Sequence, residues 1–373
     1  MALCLSSSLG CASAPAEETE EEPSFWSRFR DKEDGAFDVG EWLASGKGFL
    51  PVVMPITEPA VGVGLAGVIA YFHRPSDQPA EEGAPAAPPS ITFAGGAETD
   101  NGTWAAFGGH LGIWNEGRTR YLGAVVVADA NLRFYGEGED LSKSLTWNVE
   151  LEGVLQQIKF EVAEHFFVGP QFFYVSTKNR IGVDDTAVES STLESDLAGL
   201  GLTLSYDDRN TLFTPTSGLY AGAGVTVHDD AIGSDFRYTR ADLKLFKYWD
   251  VDPFVLGLRV EGSGTSTGAP FYGLPYLKMR GVPAFRYLGR HTALVEVEPT
   301  WRITPRWSVL CFLAAGQAVL DASNFGDDTH VAGGVGFRYL MASRQGLGAG
   351  IDFARGPEES ALYFTVGSSW SAF

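Results

Sequence analysis

The stretch Leu219–His228, LYAGAGVTVH, shows the pattern that sets the fold of this chain. Every odd-numbered position in it is apolar, whereas the even-numbered positions carry Tyr, Gly, Thr or His. Successive side chains of a β-strand point to opposite faces, so this alternation predicts a strand with one apolar face and one small or polar face. The same alternation appears in Phe254–Glu261, FVLGLRVE, and in Ala293–Ile303.

Alternating segments continue along most of the chain and predict sixteen strands. Most are long enough to cross a membrane as tilted strands, which takes ~9–11 residues. Their second face carries glycine, alanine and charges of both signs, a composition typical of a filled polar lumen. These inward charges include Arg240, Asp242, Lys244, Arg259, Glu261, Arg338 and Asp352. The predicted strands lie near 49–57, 61–73, 90–98, 102–114, 118–130, 144–163, 166–177, 197–207, 217–229, 235–249, 253–264, 291–303, 306–320, 329–341, 347–355 and 361–370.

The connections between these segments alternate in length. Asn115–Arg118 and Asp250–Pro253 are short, whereas Lys178–Asp196 and Asp321–Thr329 are longer and acidic. Short turns on one side and long loops on the other are typical of outer-membrane barrels, and closure removes the exposed edges of a sheet. We therefore predict an all-β fold in the bacterial outer membrane, a 16-stranded antiparallel transmembrane β-barrel with both ends on the periplasmic side.

Composition excludes several classes of function. The 373 residues include Asp+Glu 47 against Lys+Arg 27, a net charge of −20 that argues against nucleic-acid binding, which needs a basic face. No uncharged apolar run approaches the ~18 residues of a membrane helix. The six histidines are scattered without a His-x-x-x-His pair, and no glycine-rich phosphate loop opens a helix. We expect no metal, no cofactor and no enzymatic activity.

The start of the chain indicates targeting and linker sequence. Residues 1–14, MALCLSSSLGCASA, end in an Ala-x-Ala pattern and are interpreted as a truncated signal peptide, with lipidation of Cys11 as the alternative. Residues 15–47 are acidic and are predicted to be a solvated periplasmic tether. Within them Asp31–Asp38, DKEDGAFD, is interpreted as a polar turn, because its acids do not fit the spacing of a calcium loop. The barrel is assigned to residues 48–373.

One predicted strand contains an irregularity. In Leu145–Val162 the apolar positions change from odd to even numbers along the segment. One extra residue in a strand shifts the face of every side chain that follows. We therefore predict a β-bulge near Glu152-Gly153.

Several segments together resemble one family of membrane proteins. They are Gly48–Gly62, GFLPVVMPITEPAVG; Leu204–Gly218, LSYDDRNTLFTPTSG; Met279–Gly281, MRG, in the longest late connection; Trp301–Arg302 with Phe312–Gly316 downstream; and the last strand, ALYFTVGSSW. In this order and spacing, the chain resembles the BamA/TamA-type outer-membrane assembly and translocation barrels, the bacterial surface antigen superfamily. It looks closest to a short subgroup that lacks the periplasmic POTRA repeats.

The resemblance implies that the connection Thr265–Arg290 folds into the lumen and that its Arg pairs with acids on the barrel wall. Arg280, followed by Gly281, occupies that place. By parity Glu296 and Glu298 face inward on the next strand and are the proposed wall partners, since a guanidinium favours bidentate carboxylate contacts. Where the family usually has an aromatic residue and often an Asp, this chain has Val282 and Ala314.

Two further segments carry expectations about structure and biogenesis. Asp207, Arg209, Pro215 and Gly218 belong to a segment expected to form a tight periplasmic turn with a structural role. In the last strand Leu362, Phe364, Val366 and Trp370 are expected to face outward. This row resembles the signal by which the barrel-assembly machinery captures a new barrel through strand addition.

The resemblance implies that the protein moves or inserts protein or lipid through a barrel whose first and last strands meet at a weak seam. The implied partners are outer-membrane lipid, lipopolysaccharide, the barrel-assembly machinery during biogenesis and a protein or lipid client. Two alternatives remain open at this point. The barrel could be a passive diffusion pore with the inward loop as its constriction, or a surface-structural barrel without a transport role.

Overall fold

The computed structural model describes residues 29–31, 34–44, 49–58, 60–73, 89–135, 144–183 and 191–370. The segment interpreted as a signal peptide, with Cys11, lies outside these residues. So do residues 15–28 and 45–47 of the predicted tether. The helix in the described ranges, α1 (Gly40–Ala44), has five residues, and no described helix is long and apolar enough to cross a membrane.

The described chain forms one antiparallel sheet of sixteen strands, each paired with the next in the sequence. This confirms the predicted all-β barrel fold. The alternation that predicted it arises because lipid contacts one face of each strand while the lumen contacts the other. The strands are β1 Phe49–Ile56, β2 Gly64–Phe72, β3 Ile91–Thr99, β4 Trp104–Trp114, β5 Thr119–Tyr135, β6 Ser144–Ala163, β7 Phe166–Val183, β8 Ser191–Asp207, β9 Gly218–His228, β10 Tyr238–Val251, β11 Phe254–Thr265, β12 His291–Arg302, β13 Trp307–Val319, β14 His330–Ala342, β15 Leu347–Arg355 and β16 Ser360–Val366.

The outer face of the sheet is apolar and exposed. Val53, Leu243 and Leu313 are 72, 62 and 63% exposed, which in water would be unfavourable but suits contact with acyl chains. Exposed tryptophans lie at or near strand ends, where aromatic girdles mark the two membrane interfaces. They are Trp104, Trp114, Trp249, Trp301 and Trp307.

The sheet begins at β1 and ends at β16, and this seam is weakly joined. Among the described residues no backbone ladder pairs β1 with β16; the hydroxyl of Thr57 donates a hydrogen bond to the carbonyl of Leu362. Pro51 and Pro55 remove two N–H donors from β1, which is typical of an edge strand. The seam therefore lacks the regular backbone pairing that holds every other strand pair.

The predicted bulge near Glu152-Gly153 is wrong. Glu152 and Gly153 pair with consecutive residues of β5, without a register shift. The apolar side changes because the environment changes along β6. Near its extracellular end the outward Asn148 and Glu150 bind polar neighbours, whereas the inward Trp147 is only 4% exposed beneath the β11–β12 loop.

The expectation of a solvated tether is wrong for residues 29–31 and 34–44, which pack against the periplasmic end of the barrel. Arg306, in the turn between β12 and β13, donates to the carboxylates of Asp31, Asp34 and Asp38, with its Nε 2.7 Å from Asp34 Oδ2. Asp38 also accepts hydrogen bonds from the amide and hydroxyl of Ser343, at 3.0 and 2.6 Å. Three acids of DKEDGAFD, Asp31, Asp34 and Asp38, thus bind a buried arginine.

Apolar residues of this N-terminal segment pack on both sides of the seam. Val39 and Leu43, 4 and 2% exposed, belong to one cluster with Leu50 of β1 and Leu347 of β15. The amide of Val39 donates to the carbonyl of Met341, at 2.8 Å. We call residues 29–31 and 34–44 the periplasmic clasp, because they connect the first strands to the last ones at the periplasmic end of the barrel.

Candidate functional site

The connection between β11 and β12, residues 266–290, folds into the barrel. A 3₁₀ turn at Phe271–Gly273 opens it, and the backbone bridge between Tyr276 and Leu288 draws its two arms together. Its apolar side chains fill the space against the wall formed by β12, β13 and β14. This buried cluster contains Leu277, Met279, Val282, Leu294, Ala314 and Ala332.

Arg280 lies within this loop, and its side chain meets three wall carboxylates. Its Nη2 donates to Glu296 and, at 2.5 Å, to Glu298 Oε2; its Nη1 lies 2.8 Å from Asp352 Oδ2. The guanidinium carbon stands 3.6 Å from the centre of the Phe312 ring, a cation–π distance. A planar fork with five donors can serve carboxylates on two different strands at once, which an ammonium group cannot do in the same geometry.

Gly281 allows the loop to approach the backbone at the end of β15. Its φ is +89°, a left-handed conformation that favours glycine, and a Cβ there would lie 2.7 Å from the amide nitrogen of Gly356. Its own N–H donates to the hydroxyl of Tyr363, at 2.9 Å. In the Arg-Gly pair, Arg280 thus binds the wall carboxylates, and Gly281 adopts the backbone conformation that brings the loop close enough for this.

The ion-pair cluster around Arg280 contains more residues than Glu296 and Glu298, the two partners predicted from the sequence. Arg338 binds Asp352 through two contacts of 2.5 and 2.8 Å, and Arg259 reaches Glu296 at 3.2 Å. Glu296 and Asp352 are fully buried. Buried carboxylates are tolerated only when they are paired and hydrogen-bonded, and the arginines supply these partners within the lumen.

The sequence placed Glu296 and Glu298 on the inner face, and the structure brings both to Arg280. The sequence also placed Asp352 inside the barrel by its parity but did not predict that Asp352 would bind the loop. Ala314 stands where the family often has an Asp, and here Asp352 supplies a carboxylate to Arg280 instead. Val282 and Ala314 pack in the apolar cluster. That these residues matter for function stays a prediction.

The expectation that Trp370 faces outward is wrong. The strand β16 ends at Val366, and Gly367, at φ +83°, turns the chain out of the sheet. Trp370 is 3% exposed and packs on the lumenal rings of Phe246 and Tyr248. Its indole N–H donates to Glu296 at 3.1 Å, a partner that hydrocarbon could not offer.

The rest of the last strand follows its alternation. Leu362 is 43% exposed on the outer face, and Phe364 shares this face. Val366, the last residue of the strand, packs in part against the cluster beneath the clasp. Capture of Phe364 and Val366 by assembly machinery remains a prediction, and Trp370 is not part of that outward row.

Replacing Trp370 with Phe tests its lumenal position. We expect Trp370→Phe to keep most of the packing but to lower the unfolding temperature of the barrel by several degrees, because a hydrogen bond to a charged group contributes about 2 kcal/mol. Thermal unfolding followed by heat-modified gel mobility measures the shift. The control is Trp301→Phe on the lipid face; an equal shift in both variants would contradict the lumenal hydrogen bond.

The segment that contains Asp207, Arg209, Pro215 and Gly218 is not a tight turn. Residues 208–217 cross the periplasmic end of the barrel, where the hydroxyl of Thr211 donates to the carbonyl of Gln345, at 3.2 Å, and the amide of Gly348 donates to Thr214 Oγ1, at 3.1 Å. The turn-forming residues of this segment predicted a short connection between neighbouring strands. They could not indicate that the segment extends to the turn between β14 and β15.

Within this segment Asp207 and Arg209 form a buried ion pair. Arg209 reaches Asp207 at 2.7 and 3.0 Å, Arg120 reaches the same carboxylate at 2.5 Å, and Arg209 lies 5.0 Å from the ring of Tyr220. Pro215 is buried, and Gly218 has a φ of +102°, where a Cβ would lie 2.5 Å from the carbonyl oxygen of Asp208. These contacts fit a structural role.

Comparison with known proteins agrees with this architecture. Residues 118–275 match the Omp85 superfamily domain. BamA from Haemophilus ducreyi lacking POTRA domains 1–3 superposes with a TM-score of 0.57 at 11% identity, over 91% of this chain and 80% of that one. CdiB from Acinetobacter baumannii gives 0.53 at 10% identity, over 85% of this chain and 59% of that one.

CdiB from Escherichia coli gives a TM-score of 0.54 at 10% identity, over 88% of this chain and 69% of that one. No curated protein matches the chain. The sixteen consecutive strands, the matched domain and the shared barrel architecture agree with one another. The chain therefore has the fold of a sixteen-stranded outer-membrane β-barrel, and it is similar to the Omp85 superfamily over residues 118–275.

Proposed function

We propose that this barrel inserts or translocates a protein or lipid client, and that the seam between β1 and β16 is the part that opens. The observation that carries the proposal is the missing ladder at this one junction, which is bridged by the side-chain contact from Thr57 to Leu362. A strand pair without regular backbone bonds separates at a lower cost than its neighbours.

The lumen loop supports the same conclusion by stiffening the strands from β12 to β15, next to the seam strand β16. Arg280 connects Glu298 on β12 with Asp352 on β15, three strands further along. It thereby ties the wall from β12 to β15 to the loop in a single buried cluster. At the seam the loop makes single hydrogen bonds instead, from the Gly281 amide to Tyr363 of β16 and from the Ala284 amide to Glu58 beyond β1, so movement is concentrated there.

The proposed partners follow from location and exposed surface. The outer face of the barrel contacts outer-membrane lipid. The acidic outer connections face the leaflet that carries lipopolysaccharide, and the outward row on β16 offers an edge to the barrel-assembly machinery during biogenesis.

A disulfide across the seam tests the proposed function. Thr57→Cys and Leu362→Cys are introduced with Cys311→Ser, because Cys311 is an exposed free thiol. We expect the oxidised double variant to lose complementation of a gene-deletion phenotype in the cell envelope and to regain it on reduction, because the bond blocks separation of β1 and β16. The matched control, Phe337→Cys with Ile351→Cys, joins β14 and β15, which are already paired, and should complement in both states.

Two results would contradict this function. One is full complementation by the oxidised seam variant. The other is a steady open channel in planar bilayers that the seam disulfide leaves unchanged, which would favour a passive diffusion pore through the lumen.

A further inference from the structure

The inner face of the first four strands carries no charge. Register and burial place apolar or small side chains along the lumenal side of β1 to β4, and this surface continues onto β5. In the middle of the barrel these side chains are half-buried, so the lumen loop and the clasp do not fully cover them. They include Val52, Met54, Val68, Phe93, Phe107 and Leu122.

Glycines on this apolar wall leave room for aromatic rings to lie flat against the backbone. The ring of Phe107 lies over Gly95, where a Cβ would stand 2.8 Å from it, and the ring of Phe93 lies over Gly109 at 2.6 Å. The two rings therefore lie flat along the wall, with their centres 6.5 Å apart. Strands that carry apolar residues on both faces are unusual in a barrel whose lumen holds only water and charged groups.

The facing wall, from β5 to β11 and onto the lumen loop, is cationic. Outside the Arg280 cluster it presents six basic side chains against the three carboxylates of Asp207, Asp242 and Glu261. The excess is positive although the whole chain has a net charge of −20. The basic residues are Arg120, Lys159, Arg209, Arg240, Lys244 and Lys278.

Lys159 shows the excess of positive charge on this wall most clearly. It is 7% exposed, and among the described residues no carboxylate lies within ion-pair distance of its ammonium group. Asp207, which lines the same cavity, is already held by Arg120 and Arg209. A buried cation without an anion is costly, so this site favours a negatively charged ligand.

The two walls meet in one cavity. Leu111 and Leu122 line it together with Arg120, Lys159 and Arg209. A purely anionic ligand would satisfy the cations and leave the apolar wall in water, whereas a purely apolar one would leave Lys159 without a counter-ion. A ligand with an anionic group and an apolar part can pair with Lys159 and also cover the apolar wall.

We propose that the lumen binds an anionic lipid, with its headgroup phosphate at Lys159 and its acyl chains along the apolar wall of β1 to β5. This rests on the proposed function and deepens it, since it names lipid as the client class. The apolar wall ends at β1, the strand that borders the seam, so a bound lipid lies next to the place where the barrel would open to the membrane.

A photo-crosslinking experiment tests the proposal. Benzoylphenylalanine replaces Phe107 on the inner wall or, as a control, Ile69 on the outer wall, which is 56% exposed. The full barrel is reconstituted in phosphatidylcholine vesicles that contain a small fraction of alkyne-tagged phosphatidylglycerol or of alkyne-tagged phosphatidylcholine. We expect position 107 to label the anionic lipid at least fivefold more than the zwitterionic one, and position 69 to label both equally.

A charge variant links this labelling to the cationic wall. Lys159→Gln should reduce the labelling of phosphatidylglycerol at position 107 to the phosphatidylcholine level. The matched control is Lys247→Gln, which removes a lysine from the outward face of β10 beside Trp249 and should change nothing. Heat-modified gel mobility verifies that each variant is folded.

Equal labelling of the two lipids at position 107, or labelling that survives Lys159→Gln, would overturn the anionic-lipid proposal. The seam disulfide tests the proposed function separately. Loss of complementation by the oxidised seam variant together with no lipid selectivity would leave the function intact and refute the lipid client. Selective labelling together with full complementation would instead refute the opening of the seam.

Discussion

Arg280→Ala should give a barrel that unfolds at a much lower temperature and loses complementation. The substitution leaves Glu296, Glu298 and Asp352 facing one another in a buried site without the guanidinium that joins them. Removing one partner of a buried ion pair typically costs about 3–5 kcal/mol, because the remaining charge stays desolvated. Arg259 and Arg338 continue to pair with Glu296 and Asp352, so the loss falls most heavily on Glu298.

Thermal unfolding and protease resistance of the folded barrel measure this effect. Arg280→Lys keeps the charge but not the fork, so it should restore only part of the stability. Adding Glu298→Gln to Arg280→Ala should recover a further part, because one uncompensated carboxylate is removed. The matched control is Arg290→Ala at the exposed end of the same loop, where the side chain donates to the carbonyl of Leu320.

Two outcomes would refute this role of Arg280. One is an unfolding temperature of Arg280→Ala equal to that of Arg290→Ala. The other is full rescue by Arg280→Lys, which would show that charge alone matters and that the bidentate geometry does not.

The sequence predicted the barrel well because a membrane imposes strict parity. Lipid on one side of each strand and a lumen on the other make every second residue apolar, as in Leu219–His228, and the number of such segments equals the number of strands. The same parity placed Glu296 and Glu298 on the inner face, where the loop arginine meets them. Parity cannot indicate which loop residue an inward acid such as Asp352 will bind.

Prediction failed where neither lipid nor a strand ladder restricts the chain. Residues 208–217 are rich in turn-forming residues but cross to the turn between β14 and β15. Trp370 continued an outward alternation, but Gly367 turned it into the lumen. The acids of the periplasmic clasp are typical of solvated sequence, and only the fold reveals the buried Arg306 that they bind.

The periplasmic clasp should detach when Arg306 is replaced. Arg306→Ala removes the common partner of Asp31, Asp34 and Asp38 and leaves the buried Asp38 with the donors of Gly40 and Ser343. By the cost of breaking a buried pair, about 3 kcal/mol, the equilibrium constant for docking should fall roughly a hundredfold. A fluorophore at Glu41→Cys on α1, with Cys4, Cys11 and Cys311 replaced by Ser, should then lose anisotropy.

The matched control for the clasp is Arg302→Ala. Arg302 lies on the same side of the barrel but pairs with Asp250 and Asp252, so anisotropy at position 41 should not change. Equal anisotropy in the wild-type and Arg306→Ala proteins would show that the apolar contacts of Val39 and Leu43 hold the clasp without the arginine.

The pH dependence of the clasp follows from the same carboxylates. Burial raises the pKa of Asp38, but hydrogen bonds from Arg306 and Ser343 outweigh it, so the pKa lies below its ordinary value; a hydrogen bond from Arg306 likewise lowers the pKa of Asp34. Carboxyls with lowered pKa values stabilise docking above the ordinary value of about 3.9 and lose that contribution as pH falls through the lowered values. Anisotropy should therefore stay constant from pH 7 to about 4 and fall only below that, whereas release at pH 5–6 would require a different titrating group.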